Sequence, residues 1–335
     1  MTLFESYQIK NLDLKNKVVM APMCQYSAED GFPNDWHTTH YASRAAGGTG
    51  LIIVEMTNVE PDGRITDHCL GLWSDSHISR YKTLVDAIHQ NGAKAGIQIA
   101  HAGRKAVDAE TPVSSSPIPY DDSSKTPHEL TTDETRNMIE KFRLAAGRAV
   151  SSGFDFIEIH GAHGYLIHQF SSPRTNTRSD QYGEDLSLFG SEVIHAVKKE
   201  IPDDIPLAIR ISAKEFAEGG YDTEHGIYLA KQFKKAGVDI IHVSAGGEGR
   251  PSPERFPGAS PGYMVPFARA VKEGADIPVI AVGVLDDVND ARKVIEDGSA
   301  DLVALGRALL RDPYWVLNHD DSGSFIPRQY TRGYQ

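Results

Sequence analysis

The sequence predicts a single (β/α)8 barrel, an α/β fold also called a TIM barrel, that spans residues 1–335 as one domain. Short apolar runs alternate with amphipathic helical stretches, as expected for parallel strands that are buried on both faces. The units follow one another at roughly even spacing, and no Gly-x-Gly-x-x-Gly follows the first run. An open, doubly wound sheet is the alternative, and the last two observations favour the barrel.

The strands are predicted where β-branched runs lie between polar or glycine-rich segments. In chain order, the eight predicted strands are Val18–Ala21, Leu51–Val54, Ala95–Ile99, Phe154–Ile159, Leu207–Ile211, Ile240–Val243, Val279–Val282 and Leu302–Leu305.

Two of the helices between these strands have clear end signals. Thr131 and Glu134 have the spacing of a capping box, which predicts a helix over Asp133–Ser152 that ends at Gly153. A second helix is predicted over Asp286–Asp297. In each helix the apolar residues recur every three or four positions, so one face packs against the sheet.

Three segments are predicted to lack regular structure. Ala106–Leu130 is rich in Ser, Pro and Asp, and Ala245–Tyr263 is rich in Gly and Pro. Both are too long for ordinary connections and follow strands on the face where a barrel keeps its chemistry, so we expect them to shape a site. The third segment is the tail, Ser322–Gln335, which has no apolar periodicity.

Composition excludes some classes of protein. The chain has 34 Lys+Arg and 46 Asp+Glu, and its formal net charge of −12 argues against nucleic acid or an anionic membrane as a partner. Met1–Lys10 does not read as a secretory signal, and no apolar run approaches the ~18 residues of a membrane span. Cys24 and Cys69 could pair, but a reduced, cytoplasmic protein is the better interpretation.

Polar side chains follow the strands at the ends that a barrel gathers on one face. His160, His163 and Tyr165 leave the fourth predicted strand together. Two imidazoles can donate hydrogen bonds to one oxyanion, and a nearby phenol can deliver a proton. His101 follows the third strand, and a lone histidine at a strand end is as readily a structural group as a functional one.

A second group of residues suits a phosphate-bearing cofactor. Arg210 lies within an apolar strand and needs either a carboxylate or an anionic ligand. Glycines follow the last three strands, and backbone N–H groups in such loops bind phosphate. Each glycine alone could be a turn. Together they indicate one phosphate cradle, and FMN is the mononucleotide that this barrel face commonly holds.

Motifs of other chemistries are missing from the sequence. It contains no His-Glu-x-x-His, no Cys-x-x-Cys, no Gly-x-Ser-x-Gly and no P-loop. Without a dinucleotide fingerprint, a permanently bound NAD is not expected.

At these residues the chain resembles the old yellow enzyme family, specifically its thermophilic-like subclass of FMN-dependent ene-reductases and NADPH dehydrogenases. The resemblance covers essentially the whole chain. Cys24 with Tyr26, and the terminal Tyr-x-Arg-Gly, indicate the subclass. The matching segments are Leu14–Ser27, Gln98–Lys105, Glu158–Pro173, Gly283, Leu305–Arg307 and Gln329–Tyr334.

The resemblance implies which residues bind the cofactor. Gln98 meets the pyrimidine edge of the flavin, and Arg210 stabilises negative charge at N1 and O2 of the reduced ring. The flavin ring is lined by Pro22, Met23, Cys24 and Met56. The ribityl phosphate is held by Ser244, Gly246, Gly247, Gly283, Gly306 and Arg307.

The resemblance also implies the catalytic roles. His160 and His163 bind the substrate carbonyl oxygen, Tyr165 donates a proton, and Cys24 tunes the flavin potential. Tyr26 and Lys105 line the substrate region. Tails of this kind, here 322–335, reach a neighbouring subunit and bring the arginine, here Arg332, into its active site.

The implied function is an NAD(P)H-dependent ene-reductase that reduces activated C=C bonds of α,β-unsaturated carbonyl or nitro compounds by a ping-pong reaction. NADPH or NADH is the transient reductant, and the assembly is a homodimer or homotetramer. Two alternatives remain: a metal-dependent barrel hydrolase or lyase that uses His101, His160 and His163, and a non-catalytic flavin-binding barrel. One segment, Glu184–Gly190, is shorter than the family pattern, which affects loop packing beside the mouth.

Overall fold

The computed structural model describes residues 2–334. Its strands, in chain order, are β1 Tyr7–Ile9, β2 Leu12–Leu14, β3 Val18–Met20, β4 Leu51–Asn58, β5 Leu70–Gly71, β6 Lys94–Ala100, β7 Val113–Ser114, β8 His128–Glu129, β9 Phe156–Gly161, β10 Leu207–Ser212, β11 Ile240–Ser244, β12 Val279–Ala281 and β13 Leu302–Leu305.

Helices occupy most of the connections between these strands. They are α1 Asp35–Ala46, α2 Ile78–Gln90, α3 Thr132–Ser151, α4 Leu166–Ser171, α5 Gln181–Glu184, α6 Leu188–Glu200, α7 Thr223–Ala236, α8 Val265–Ala275, α9 Val288–Glu296, α10 Arg307–Arg311 and α11 Trp315–His319. Within residues 2–334, none of the helices is both long and apolar enough to cross a membrane.

The predicted (β/α)8 barrel is confirmed. The strand order is β3-β13-β12-β11-β10-β9-β6-β4, and pairing of β3 with β4 closes the ring. Neighbouring strands are parallel throughout, so all eight carboxyl ends face the same way. Each predicted strand corresponds to one of these eight, which gathers the predicted chemistry on one rim.

The strand ends differ from the prediction by a few residues at most. β4 continues to Asn58 rather than Val54, because its last residues pair with both β5 and β6. β9 begins at Phe156 rather than Phe154, since the Phe154 N–H donates to the Ala149 carbonyl at the end of α3 at 3.3 Å. Partners outside the strand therefore set both ends.

An N-terminal hairpin that the sequence did not predict lies at the amino ends of the strands. β1 and β2 pair antiparallel, and Ile9, Leu12 and Leu14 pack into a buried cluster. Val19, Leu51 and other side chains that point into the barrel form the rest of this cluster. The hairpin therefore closes the end of the barrel opposite the predicted site.

The predicted capping box is confirmed at the start of α3. The Thr131 side chain accepts the Glu134 N–H at 3.2 Å, and the Glu134 carboxylate accepts the Thr131 N–H at 2.7 Å. The buried face of α3 includes Met138, Phe142, Ala145, Ala146 and Ala149, as its periodicity predicts. The predicted helix near Asp286–Asp297 is α9.

The loops largely follow the prediction. Ala106–Leu130 is irregular except for the short β7–β8 ladder, and Ala245–Tyr263 contains no strand or helix. In the shortened segment, the Asp185 carboxylate accepts hydrogen bonds from Ser187 and Tyr228, which fixes the start of α6. The tail holds one 3-10 helix, Arg328–Gly333, and Gln335 lies outside the described residues.

Candidate active site

The strand ends bring the predicted site residues to one rim. β3, β13, β12 and β11 are consecutive in the ring, as are β10, β9 and β6. Backbone contacts across the rim are close: a Cβ on Gly247 would lie 2.4 Å from His163 Cα, and one on Gly306 would lie 3.4 Å from Met23 Sδ. The first of these approaches leaves no room for a side chain, so Gly247 packs directly on the turn that follows β9.

His160, His163 and Tyr165 form a compact cluster where β9 ends. The ring centroids of His160 and His163 are 5.3 Å apart, and those of His160 and Tyr165 are 4.8 Å apart. His163 has a φ of 60°, an uncommon left-handed conformation for a residue with a Cβ. The Ser212 hydroxyl accepts its N–H at 3.1 Å and supports this turn.

Both imidazoles of the cluster are neutral at neutral pH. Burial lowers the pKa of His160 and of His163 well below the ordinary range, and the charge of Arg210 lowers both further. His160 Nδ1 accepts the Ala162 N–H at 3.2 Å, so the ring proton is on Nε2. His163 Nε2 lies 2.8 Å from the Ser244 hydroxyl. A neutral imidazole can donate a hydrogen bond without bringing a net charge into a buried site.

The Tyr165 phenol keeps its proton at neutral pH. Burial raises the pKa of Tyr165 beyond its ordinary value. Lys105 Nζ lies 4.8 Å from the centre of the Tyr165 ring and donates to the His163 carbonyl at 2.9 Å. Burial lowers the pKa of Lys105 to about 8, with a further contribution from Arg104. Lys105 therefore ties the Tyr165 ring to the turn that carries His163.

Arg210 is buried in the barrel with unused hydrogen-bonding capacity. In the sheet it lies beside His160 on β9 and His242 on β11. Its Nε has no partner among the described residues. Burial lowers the pKa of Arg210, and the charge of Glu158 partly offsets this effect. A buried guanidinium with an unpartnered N–H suits an anionic or carbonyl-rich ligand.

Glu158 and His242 were missed as site residues. Both side chains are fully buried, and Glu158 accepts Gln98 Nε2 at 2.7 Å and contacts His242 Nδ1 at 2.8 Å. This network orients the predicted flavin ligand Gln98. A carboxylate inside the otherwise apolar run Phe156–Ile159 was the available signal, because a buried charge needs partners.

The segment after β3 is held by a buried carboxylate that was also missed. Glu55 accepts the Gln25 N–H at 2.6 Å and the Tyr41 hydroxyl at 3.1 Å. Burial raises the pKa of Glu55 to about 8. Tyr26, whose φ is 50°, remains 48% exposed, and burial of the rest of its ring raises its pKa to about 12. Cys24 packs with Met56 and Tyr165 in one apolar cluster.

The glycine-rich strand ends form an open backbone cradle. Gly246, Gly247 and Gly283 have φ of 75°, 91° and 130°, conformations that favour glycine. Only Met23 Sδ lies within 4 Å of the position of a Cβ on Gly306, and Arg307 beside it is exposed. With the unpartnered Arg210, these residues fit a mononucleotide such as FMN, whose phosphate binds backbone N–H groups. Ser244, which is also a predicted phosphate ligand, contacts His163 through its hydroxyl.

His101 has a structural environment. Its Nε2 lies 2.7 Å from the Glu60 carboxylate, and its Nδ1 accepts the Gly103 N–H at 2.9 Å. Both ring nitrogens are therefore occupied, so His101 does not join His160 and His163. Among residues 2–334, no group of three or more His, Cys, Asp or Glu side chains is arranged to hold a metal ion.

The tail that carries Arg332 packs against residues at the closed end of the barrel. Phe325, earlier in the tail, packs against Phe4 with 6.3 Å between ring centroids and has the Lys15 ammonium 5.9 Å from its ring centre. Phe4 and Lys15 precede β3, at the closed end of the barrel. Tyr330 hydrogen-bonds Tyr314 at 3.2 Å, and Arg332 itself is exposed.

Comparison with known proteins agrees with this geometry. The family model described as the NADH:flavin oxidoreductase / NADH oxidase family matches residues 2–321. An NADPH dehydrogenase of Listeria monocytogenes serotype 4a is 46% identical, with 99% of each chain covered. One from Halalkalibacterium halodurans is 47% identical, with 99% of this chain and 98% of the other covered.

Solved structures show the same architecture. Morphinone reductase in complex with tetrahydroNAD superposes with a TM-score of 0.83 at 28% identity, over 97% of this chain and 92% of that one. A 2-naphthoyl-CoA reductase superposes with a TM-score of 0.85 at 26% identity, over 93% of this chain and 51% of that one. The resemblance to old yellow enzymes is thereby confirmed, and the chain belongs to the NADH:flavin oxidoreductase / NADH oxidase family.

Proposed function

We propose that this flavin oxidoreductase is an NADPH-dependent ene-reductase that reduces the activated C=C bond of α,β-unsaturated carbonyl or nitro compounds. The observation that carries the proposal is the cluster after β9, where two neutral imidazoles and a protonated phenol lie together. Such a cluster can bind one carbonyl oxygen and supply one proton. A flavin protein that only bound its cofactor would not need either capacity.

The cofactor is FMN, which when bound takes a hydride from the nicotinamide and gives one to the β-carbon of the alkene. Gln98 and Arg210 would meet the polar edge of the ring, with Pro22, Met23, Cys24 and Met56 beside it. Ser244, Gly246, Gly247, Gly283, Gly306 and Arg307 would hold the phosphate. Because the chain has no dinucleotide fingerprint, reductant and alkene share one pocket and bind in turn.

His160 and His163 bind the substrate oxygen in this proposal. Negative charge accumulates on that oxygen as the alkene is reduced, and neutral N–H donors stabilise it most where charge develops. Loss of one such donor typically costs ~3–4 kcal/mol of transition-state stabilisation. Tyr165 then gives its phenolic proton to the α-carbon. Tyr26 and Lys105 bound the substrate region.

The assembly is proposed to be a dimer-based oligomer in which the tail 322–335 reaches a neighbouring subunit. Phe325 packs at the closed end of the barrel, and Arg332 remains exposed on its own chain. Tyr330 and Tyr334 are exposed beside it, and tyrosine with arginine is a composition typical of interface anchors. Arg332 would complete the pocket of the partner.

A phenolate ligand tests the role of the two histidines. 4-Hydroxybenzaldehyde places an oxyanion where the substrate carbonyl is proposed to bind, and stacking on oxidised flavin gives a long-wavelength charge-transfer band. We expect the band in the wild type and its loss in His160→Ala/His163→Ala, with flavin retained. His195→Ala, an exposed change on α6, is the matched control. An unchanged band in the double variant would refute the role.

A further inference from the structure

The two cysteines of the chain reach the same edge of one strand. Thr57 and Asn58 of β4 pair with two strands at once, β6 and β5. These two strands therefore lie on opposite sides of β4. β3 occupies the β5 side earlier in β4, where Met20 lies beside Ile52. Cys24 follows β3 and Cys69 directly precedes β5. Both cysteines are therefore on the β3 side of β4, near Met56.

Direct contacts join the two cysteine segments. The Ala28 N–H donates to the His68 carbonyl at 2.9 Å, next to Cys69. The two thiols interact closely enough for each to shift the pKa of the other, and Tyr26 also acts on the pKa of Cys24. Both cysteines are free thiols. The pairing that the sequence left as the weaker alternative is thus geometrically within reach.

The surroundings give the two thiols different chemistry. The interaction with Cys24, together with the Thr66 N–H at 3.5 Å, lowers the pKa of Cys69 to about 6. The same thiol contact and burial raise the pKa of Cys24. Cys69 is fully buried, whereas Cys24 is partly exposed at the rim. A solute that enters the mouth therefore meets Cys24 first, with the Cys69 thiolate behind it.

We propose that Cys24 and Cys69 form a thiol pair that hydroperoxides oxidise to an intramolecular disulfide at the rim of the barrel. The Cys69 thiolate takes the Cys24 proton, and the resulting Cys24 thiolate attacks one peroxide oxygen. An S–O bond forms, the O–O bond breaks, and the departing hydroxide takes that proton from Cys69 to become the first water. The Cys69 thiolate then attacks the Cys24 sulfenic sulfur. The S–S bond forms as the S–O bond breaks, and the departing hydroxide takes a proton to become the second water.

The electron count closes with the peroxide alone. Two thiols lose two electrons and two protons, and one hydrogen peroxide becomes two waters. Because the disulfide draws the Cys24 sulfur toward Cys69, it changes the wall beside the flavin ring. This last consequence rests on the proposed function, which puts Cys24 against the ring. The bond itself does not depend on it.

Peptide mapping of the holoenzyme tests the pair. Cleavage after Lys17, Arg44, Arg64 and Arg80 releases peptides 18–44 and 65–80, each with one cysteine. After brief treatment with hydrogen peroxide and alkylation in denaturant, we expect these peptides joined by a disulfide, a loss of about 2 Da from the protein, and recovery of both thiols with dithiothreitol. In Cys69→Ser, Cys24 has no resolving thiol and should pass to sulfinic acid, a gain of about 32 Da that dithiothreitol does not reverse.

The two parts of the inference fail separately. A wild type in which Cys24 becomes sulfinic acid while Cys69 remains alkylated would overturn the thiol pair. The flavin absorption spectrum is recorded on the same samples. A joined pair of peptides with an unchanged flavin spectrum would instead contradict the proposed contact of Cys24 with the ring. A shifted spectrum that dithiothreitol restores supports both.

Discussion

At the scale of single residues, the proposed chemistry depends on groups held in their neutral form. His160 and His163 are buried and beside the Arg210 cation, so neither imidazole carries a charge at neutral pH. Tyr165 keeps its proton for the same reason, because burial disfavours the phenolate. Donors and acid are therefore in the states that an enolate-like transition state requires.

Tyr165→Phe separates proton delivery from substrate binding. The ring stays, so its packing with His160 and Lys105 is kept, and only the hydroxyl is lost. We expect reduction of the flavin by NADPH to remain nearly intact and re-oxidation by the alkene to slow by roughly 10²–10⁴-fold, the usual contribution of a general acid. Stopped-flow measurement of the two half-reactions checks this. Equal slowing of both would indicate a packing role for Tyr165.

Sequence reasoning found the residues that stand at strand ends but missed those that support them. His160, His163, Tyr165 and Arg210 were identifiable because a polar side chain next to an apolar run is conspicuous. Glu158 meets His242 across 84 sequence positions, and that contact exists only once β9 and β11 both flank β10. The proximity of Cys69 to Cys24 similarly depends on the short strand β5, which has no periodic signal.

At the scale of elements, packing between neighbours decides what the local pattern leaves open. The eight barrel strands and α3 were predictable because burial on both faces or on one face gives a clear period. The β1–β2 hairpin was not, since three-residue strands are too short for a periodic signal. Glu55 shows such packing on β4. It accepts a hydrogen bond from Tyr41 of α1 and one from Gln25 in the segment after β3.

Glu55 predicts a pH dependence of stability. Its pKa is raised from 4.5 to about 8 in the folded protein, so between these values the folded chain holds a proton that the unfolded chain has lost. Stability from this group therefore falls as pH rises through that window. The groups that face Glu55 are Tyr41, Cys69 and His37. Burial lowers the pKa of His37 to about 4, so His37 is neutral over most of the pH range in which Glu55 holds its extra proton.

Glu55→Gln removes the titration while keeping one carbonyl acceptor for the Gln25 N–H. We expect the Tm of the variant minus that of the wild type to increase from about pH 5 to about pH 8 and then level off. Differential scanning calorimetry of both proteins across this range measures it. Parallel Tm curves would show that folding does not raise the pKa of Glu55, which would contradict the prediction.

At the scale of the whole molecule, the barrel separates a closed end from a reactive end. The hairpin β1–β2 and the tail lie at the closed end, and the strand ends with the site residues form the other. The fold was predictable because eight evenly spaced strand–helix units, without a Gly-x-Gly-x-x-Gly after the first, favour a closed barrel over an open sheet. The proposed role of the tail in a neighbouring subunit was not derivable from spacing alone, since a tail without periodicity has no inherent docking signal.

Mixing two variants, each altered in a different part of the proposed site, tests whether Arg332 acts in the neighbouring subunit. Arg332→Ala should keep its flavin and raise KM. When it is mixed with Tyr165→Phe under conditions of subunit exchange, some mixed oligomers contain a site with neither lesion, so activity should rise above the weighted average of the parents. Native mass spectrometry confirms that mixed oligomers form. Mixed oligomers without a gain in activity would confine the arginine to its own chain.

The two half-reactions of the wild type test the proposed reaction most directly. In the absence of oxygen, one equivalent of NADPH should bleach the flavin absorption of the purified, yellow holoenzyme. Addition of 2-cyclohexenone should then restore the absorption and yield about one cyclohexanone per flavin, because each two-electron reduction saturates one C=C bond. A flavin that NADPH reduces and oxygen re-oxidises, but that stays bleached with this and other activated alkenes, would contradict the proposed ene-reductase function.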